Sequence, residues 1–187
     1  MSARPVPATP TWNLLVTSHE GLREELLGAL RPQVRFRRGG FPNVLVATVA
    51  DPHEFLDVLR DASASSGTVR AALAKALPID RTVRFPDPST FLDAITATLS
   101  PLCDRLAGKT FFVRLHRRGF RGLIDSTRIE GEIGAWLVET LRTRGHDPHV
   151  RFQDPDVIVA IETLRDEAGI ALLPRELREK HPFTRVR

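Results

Sequence analysis

Residues 109–128 read KTFFVRLHRRGFRGLIDSTR, a strand-like run that breaks into a basic, glycine-containing loop. Its period of two predicts a strand over residues 111–116 with two distinct faces. The face expected to join a core carries Phe111, Val113 and Leu115, and the face expected at the surface carries Phe112, Arg114 and His116. Gly119 and Gly122 then allow the backbone a close approach that a side chain would block, which suits a loop laid along a phosphate backbone.

Positive charge is concentrated around this stretch. Residues 105–128 hold seven Lys and Arg against one acid, so their formal charge of +6 exceeds the +4 of the whole protein. Focused charge of this kind steers polyanions toward a surface. The predicted RNA-binding residues here are Lys109, Arg114, His116, Arg117, Arg118, Arg121, Ser126, Thr127 and Arg128. A solvated edge strand, whose charges discourage aggregation, is the alternative interpretation.

A helix is predicted directly after the basic loop. Thr127 and Glu130 have the spacing of a capping box, which would place free backbone N–H groups beside the loop. The apolar face of this helix carries Ile129, Ile133, Trp136, Leu137 and Leu141, and Gly145 ends the pattern. One helix end and the basic strand are therefore expected to converge on one anion-binding site.

Four further features leave alternatives open. Arg35 and Arg37, in a second basic cluster with Arg31 and Arg38, could extend an RNA path or form a solvated face. His116 suits a hydrogen-bonding role better than that of a catalytic base, since no nucleophile accompanies it. His146 and His149 could ligate a metal but lack cysteine partners. Phe120 could stack on a base or pack against its own domain.

The first half of the chain predicts a compact alternation of strands and helices. The strands are expected at residues 12–17, 33–37, 44–49 and 69–77, and the helices at residues 19–30 and from Pro52 onward, where Asp51 is the N-cap. The resulting order of strand, helix, strand, strand, helix and strand is ferredoxin-like. Pro86 and Pro88 then interrupt the pattern before a further helix that begins near Phe91.

Three motifs in fixed order resemble a known RNA-binding module. They are FFVRLHRRG at residues 111–119, STRIEGEIG at 126–134 and VRFQDPDVIVAIE at 150–162, where Asp154 and Asp156 are interpreted as turn-forming residues. Together they resemble the THUMP domain of tRNA-modification systems, over a range from about Phe91 to the C-terminus. The resemblance implies binding at the acceptor end of tRNA, alongside a catalytic domain on the same chain or on a partner.

The predicted fold class is α+β, with a ferredoxin-like domain followed by a THUMP domain. The expected division is a disordered tail at residues 1–11, the first domain at residues 12–87, and the THUMP domain with its leading helix at residues 88–187. Strands near residues 150–152, 157–164 and 170–173, followed by a short helix over residues 174–180, are expected to complete the second domain.

The expected function is that of a non-catalytic tRNA-binding adaptor. No dinucleotide-binding or phosphate-loop motif is present, so no cofactor is expected, and 187 residues leave little room for a catalytic domain. The resemblance implies a separate tRNA-modifying enzyme as partner, of which a cytidine acetyltransferase is the best-known example. The alternatives are an RNA-binding subunit of a split tRNA methyltransferase or thiouridine synthase, or an enzyme with an unrecognised site.

Composition is consistent with an acidic partner and a reducing compartment. The isoelectric point is about 10.1, and the one cysteine, Cys103, cannot form an internal disulfide. No run of 18 apolar residues is present, and residues 1–11 lack the pattern of a signal peptide. A cytoplasmic protein without membrane association is therefore expected.

Overall fold

The computed structural model describes residues 11–186, which form two sheets covered by helices. The predicted α+β class is confirmed. The first sheet and its helices comprise β1 (Leu14–Ser18), α1 (Arg23–Leu30), β2 (Arg37–Arg38), β3 (Val44–Ala47), α2 (Pro52–Ser65), α3 (Gly67–Ala72) and β4 (Leu73–Pro78). This sheet has the order β2-β3-β1-β4, and all its neighbours are antiparallel.

The second sheet holds the remaining strands. The elements are β5 (Arg81–Arg84), α4 (Phe91–Leu99), β6 (Thr110–His116), α5 (Ser126–Thr143), β7 (His149–Val150), β8 (Val157–Leu164), β9 (Glu167–Pro174) and α6 (Arg175–Lys180). The order is β5-β9-β8-β6-β7, in which β6 runs parallel to both of its neighbours. As its almost wholly apolar sequence predicts, β8 is buried along its full length.

The two sheets pack face to face, with helices on their outer sides. One apolar cluster lies between the sheets and contains Trp12, Leu15, Val44, Val46, Leu77, Ile79, Phe112, Ile158, Ala160, Leu164, Ala171 and Leu173. The opposite face of the first sheet packs against α1, α2 and α3, and the opposite face of the second packs against α4 and α5. The described chain is therefore layered as helix, sheet, sheet, helix.

Several element boundaries differ from the predictions. The strand expected at residues 33–37 is reduced to Arg37–Arg38, and the stretch expected as a strand from residue 69 is helical as far as Ala72. Ser66 explains the second difference, because its hydroxyl accepts a hydrogen bond from the Val69 backbone and caps a short helix. The prediction for residues 1–11 lies outside the described residues except at Thr11, whose N–H donates to Thr82.

Strand β5 was not predicted, and it changes which residues belong to which sheet. It pairs antiparallel with β9, although the predicted boundary at residue 87 assigned residues 81–84 to the first domain. Only Thr82 of its four residues is buried, so the sequence offered no apolar run to recognise. The ferredoxin-like assignment and the domain boundary stay predictions, while the element order of the first part agrees with the predicted order apart from the additional helix α3.

The C-terminal segment returns to the first part of the chain. After α6, the ring of His181 is almost fully buried, and its Nε2 lies 3.5 Å from an oxygen of Asp57 in α2. The Lys180 ammonium also reaches Asp57, at 2.8 Å. These contacts and the apolar cluster between the sheets join the two halves of the chain into one packed unit.

We predict that Gly169→Ala destabilises the protein, because Gly169 lies against the Trp12 ring between the sheets. A Cβ at this position would be 2.4 Å from a Trp12 ring carbon. Overpacking of this kind costs about 1–3 kcal/mol of unfolding free energy. Urea unfolding is the measurement. The control, Gly28→Ala in α1, meets nothing within 4 Å and should not lower the midpoint. Equal midpoints for the two variants would contradict the inter-sheet packing.

Candidate nucleic-acid interface

Strand β6 has the predicted inward face, but its other face is only partly at the surface. Phe111, Val113 and Leu115 are buried against the helices, as predicted. Phe112 was expected to be exposed, and that prediction is wrong because the first sheet covers this face. Arg114 lies farther along the same face with its guanidinium carbon 5.4 Å from the centre of the Phe112 ring, an arrangement typical of a cation–π contact.

The capping box predicted at the start of α5 is also wrong. Asp125, not Thr127, is the N-cap, and its carboxylate accepts a hydrogen bond from the Arg128 backbone at 3.1 Å. Glu130 instead reaches β6, where it accepts from the Leu115 backbone N–H at 2.7 Å. Its other oxygen lies 3.5 Å from Arg114. Glu130 therefore ties the helix to the unpaired edge of the strand, a role that sequence spacing does not reveal.

The first residues of α5 remain accessible. Ser126 is half-buried, whereas Thr127 and Arg128 are exposed. The Arg128 side chain forms an ion pair with Glu132 one turn later, at 2.7 Å. Because exposed pairs of this kind are weak, Arg128 can exchange Glu132 for a phosphate at little cost.

Arg118 occupies a different environment from the one predicted. Its side chain is only 10% exposed, and the guanidinium forms an ion pair with Glu162 of β8, whose side chain is 1% exposed. Lys75 of β4 donates to the other oxygen of the same carboxylate. Burial lowers the pKa of Lys75 more than the Glu162 charge raises it. We name Lys75, Glu162 and Arg118 the inter-sheet ion cluster. It withdraws Arg118 from the surface and anchors the start of the basic loop.

The basic loop, residues 117–122, is fixed against the turn between β8 and β9. The Arg118 N–H donates to the Thr163 hydroxyl at 2.7 Å, and the Arg165 N–H donates to the Arg118 carbonyl at 3.1 Å. Gly119 has a φ of +96°, and a Cβ there would lie 3.2 Å from the Arg165 backbone. This close approach, combined with the left-handed conformation, explains the need for glycine at residue 119.

Within the loop, Arg117 and Arg121 supply charge while Phe120 packs inward. Arg117 is half-buried and donates to the Gly119 carbonyl at 2.8 Å, and Arg121 is exposed. Neither forms an ion pair within residues 11–186. The Phe120 ring lies 5.6 Å from that of Phe85, so it belongs to the edge of the core. Of the two interpretations of Phe120, the structure favours packing over base stacking.

The second basic cluster, which contains Arg37, lies beside the basic loop. Arg37 forms an ion pair with Glu167 at the start of β9, at 3.1 Å. A Cβ at Gly40 would lie 3.5 Å from the guanidinium of Arg165. Arg165 therefore lies between the basic loop and the β2–β3 turn. It is exposed and has no ion-pair partner among the described residues. The sequence did not identify Arg165 as a candidate, because only the tertiary fold brings the β8–β9 turn, which carries Arg165, next to the other two loops.

The segment around β2, the basic loop and the β8–β9 turn therefore bring their arginines to one end of the two packed sheets. We name this surface the basic rim, and its members are Arg35, Arg37, Arg38, Arg117, Arg121 and Arg165. Arg35 is exposed and unpaired within the described chain, and Arg38 forms an exposed pair with Glu24. Lys109 is exposed but precedes β6, at the opposite end of a strand about 20 Å long. The structure does not bring Lys109 to the rim.

His116 lies at the end of β6 next to the rim. Partial burial lowers its pKa, and the nearby cations of Arg118 and Lys75 lower it further against the opposing effect of Glu162. Its imidazole is therefore neutral at neutral pH and suited to hydrogen bonding rather than to charge pairing.

The remaining polar candidates have structural roles. Asp156 accepts from both the N–H and the hydroxyl of Thr110, and these hydrogen bonds lower its pKa. The neighbouring Asp154 has a φ of +47° and pairs with Arg175, so the acidic pair shapes a turn as predicted. Within residues 11–186, His146 and His149 belong to no cluster of three or more metal-ligating side chains. No described helix combines the length and apolarity needed to cross a bilayer.

Comparison with known proteins identifies the module that carries β6 and α5. A family model described as the THUMP domain matches residues 90–173. The chain therefore contains a THUMP domain. No protein with a curated function matches the sequence.

Solved structures with this fold include larger proteins. TrmN from Thermus thermophilus has a TM-score of 0.57 at 21% identity, over 85% of this chain and 44% of that one. PH1313 from Pyrococcus horikoshii has a TM-score of 0.55 at 16% identity, over 86% and 54%. A 4-thiouridine synthetase in complex with RNA and ATP has a TM-score of 0.51 at 13% identity, over 86% and 41%. This chain thus spans about half the length of these proteins or less.

We predict that Glu162→Ala strongly destabilises the fold, because it leaves two cations in the inter-sheet ion cluster without a counter-charge. Breaking a buried pair by removing one partner costs about 3–5 kcal/mol of unfolding free energy. The control is Asp166→Ala, which breaks the exposed Arg84–Asp166 pair and should cost under about 1 kcal/mol. Chemical denaturation compares the two. A similar small loss for both would show that the cluster is not buried as described.

Proposed function

We propose that this chain binds the acceptor region of tRNA and presents it to a separate tRNA-modifying enzyme. The observation that carries the proposal is the basic rim, in which arginines from three segments meet beside β6 of a THUMP domain. The 4-thiouridine synthetase with a similar fold was solved in complex with RNA, which supports RNA as the ligand class. We further propose that the protein acts in the cytoplasm.

The chemistry of the rim suits a phosphate backbone. Arginine guanidinium groups bind phosphate oxygens bidentately, and Arg121 and Arg165 are exposed without carboxylate partners in the described chain. The start of α5 adds exposed Thr127 and Arg128. Contacts to phosphate position an RNA without reading its sequence, so the rim would recognise the shape of a helical stem.

Arg118 acts indirectly in this proposal. Since its guanidinium is held by Glu162, it orients residues 117–122 rather than contacting RNA. Arg37 is partly engaged by Glu167 and would contribute less than Arg121. Of the two interpretations that the sequence left open for Arg35 and Arg37, we propose the RNA path, with the strongest contacts in the THUMP domain.

A non-catalytic role is the second element of the proposal. The chain carries no recognisable nucleotide cradle in its sequence, and the rim offers cations and hydrogen-bond donors rather than a nucleophile paired with a base. The alternative is an RNA-binding subunit of a split methyltransferase or thiouridine synthase, or an enzyme with an unrecognised site.

We predict that Arg121→Glu and Arg165→Glu each weaken tRNA binding about tenfold, because each removes a phosphate contact and adds repulsion. Both should also reduce the steepness with which affinity falls as salt rises. The control is Arg70→Glu, an exposed arginine on α3 outside the rim. Fluorescence anisotropy with labelled tRNA at several salt concentrations measures both quantities. Equal losses for Arg70→Glu and the rim variants would contradict a localised interface.

We also expect the purified protein to bind none of S-adenosylmethionine, acetyl-coenzyme A and ATP, because no phosphate-cradling motif is present. Isothermal titration calorimetry checks this directly, with tRNA as the positive control. Micromolar affinity for any of the three would replace the adaptor proposal with an enzymatic one.

A further inference from the structure

His116 lies beside the inter-sheet ion cluster. In the parallel pairing of β6 with β8, its Cα partner is Glu162, the carboxylate of that cluster. Neighbouring residues of paired strands direct their side chains to the same face of a sheet. For these two residues it is the face that is covered by the first sheet, because Phe112 and Ala160 of the same two strands belong to the apolar cluster between the sheets.

The ion cluster leaves no spare negative charge for His116. One oxygen of Glu162 accepts a hydrogen bond from Lys75, and the other accepts one from Arg118. The cluster therefore contains two cations and one carboxylate, a net charge of +1. A protonated His116 would be a third positive charge in this place, without a carboxylate of its own to balance it.

The surroundings of the imidazole favour its neutral form in the free protein. Partial burial lowers its pKa, Glu162 of β8 raises it, and Arg118 of the basic loop and Lys75 of β4 lower it. Arg114, two residues earlier on the same face of β6, is a further cation on this side of the strand. A negative charge that arrives from outside would reverse this balance, because a nearby anion favours the charged form of histidine.

The basic rim is the place where such a charge would arrive. His116 is exposed to solvent although it borders the buried cluster, and Arg117, the next residue, belongs to the rim. An RNA phosphate held by Arg117 would bring negative charge next to the imidazole. The ligand would thus supply the counter-charge that the ion cluster lacks.

We propose that His116 takes up a proton from solvent when RNA binds and contacts a phosphate as an imidazolium ion, an inference that rests on the proposed function. Hydrogen bonds between two charged groups are stronger than neutral ones, so the proton adds to the affinity. By linkage, a ligand that raises the pKa of a group binds more tightly as the pH falls toward that pKa. The gain in affinity lies between the lowered pKa of the free protein and the raised pKa of the complex.

Isothermal titration calorimetry counts the protons that are taken up. Transfer RNA is titrated into the protein at about pH 6.5 and one ionic strength, in PIPES and in imidazole buffer, whose heats of ionisation differ. We expect a net uptake of about half a proton or more per complex, and an affinity that rises up to about tenfold per pH unit as the pH falls from about 7.5 to 6. His116→Gln, which keeps a hydrogen-bonding side chain, should remove the uptake and flatten the pH dependence.

The matched control is His19→Gln. His19 is at the same end of the first sheet, since its neighbour Ser18 donates to the Asn43 carbonyl just before β3. This variant should keep the full proton uptake.

The outcomes separate this inference from RNA binding itself. Binding of tRNA to the unmodified protein without proton uptake would overturn the role of His116 and leave RNA binding intact. Uptake that persists in His116→Gln, or that is lost in His19→Gln, would overturn it in the same way. Failure to bind tRNA at low salt would overturn the proposed function together with this inference.

Discussion

Between the two sheets, the buried Glu162 carboxylate accepts hydrogen bonds from Lys75 of the first sheet and from Arg118, in the loop that follows β6 of the second sheet. A buried cluster of this kind adds little stability over an apolar core, but losing one member leaves uncompensated charge. It therefore favours one register of the sheets. The rest of the site follows from that register, because Arg118 begins the basic loop and Glu162 is followed by the turn that carries Arg165.

The proposed function depends on the loops at one end of the two packed sheets. The loop after β6, the turn after β8 and the turn between β2 and β3 belong to different sheets, yet the face-to-face packing brings their tips together. Gly119, with its positive φ, allows the basic loop to approach the Arg165 backbone closely, and the Arg165 side chain lies beside Gly40 of the β2–β3 turn. The basic rim is thus a product of tertiary packing, and its arginines reach one patch although more than 120 residues separate Arg37 from Arg165.

The sequence predicted much of the THUMP part and less of its contacts. Alternation in residues 111–116 and the apolar run of β8 were sufficient to place two central strands, because burial on one or both faces determines their residues. The sequence could not reveal that the first sheet covers Phe112, or that Glu130 binds a strand edge instead of capping a helix. Arg118 illustrates the limit most clearly: local charge suggested an RNA contact, whereas its ion-pair partner Glu162 lies 44 residues away along the chain.

The central claim is that tRNA lies on the basic rim, and cross-linking locates the RNA without altering the protein. Ultraviolet cross-linking of the tRNA complex, followed by mass spectrometry of the attached peptides, identifies the contacting residues. The account predicts cross-links within residues 116–128 and 163–167, with weaker ones within residues 33–41. Cross-links confined to α1, α2 and α3, on the outer face of the first sheet, would contradict it.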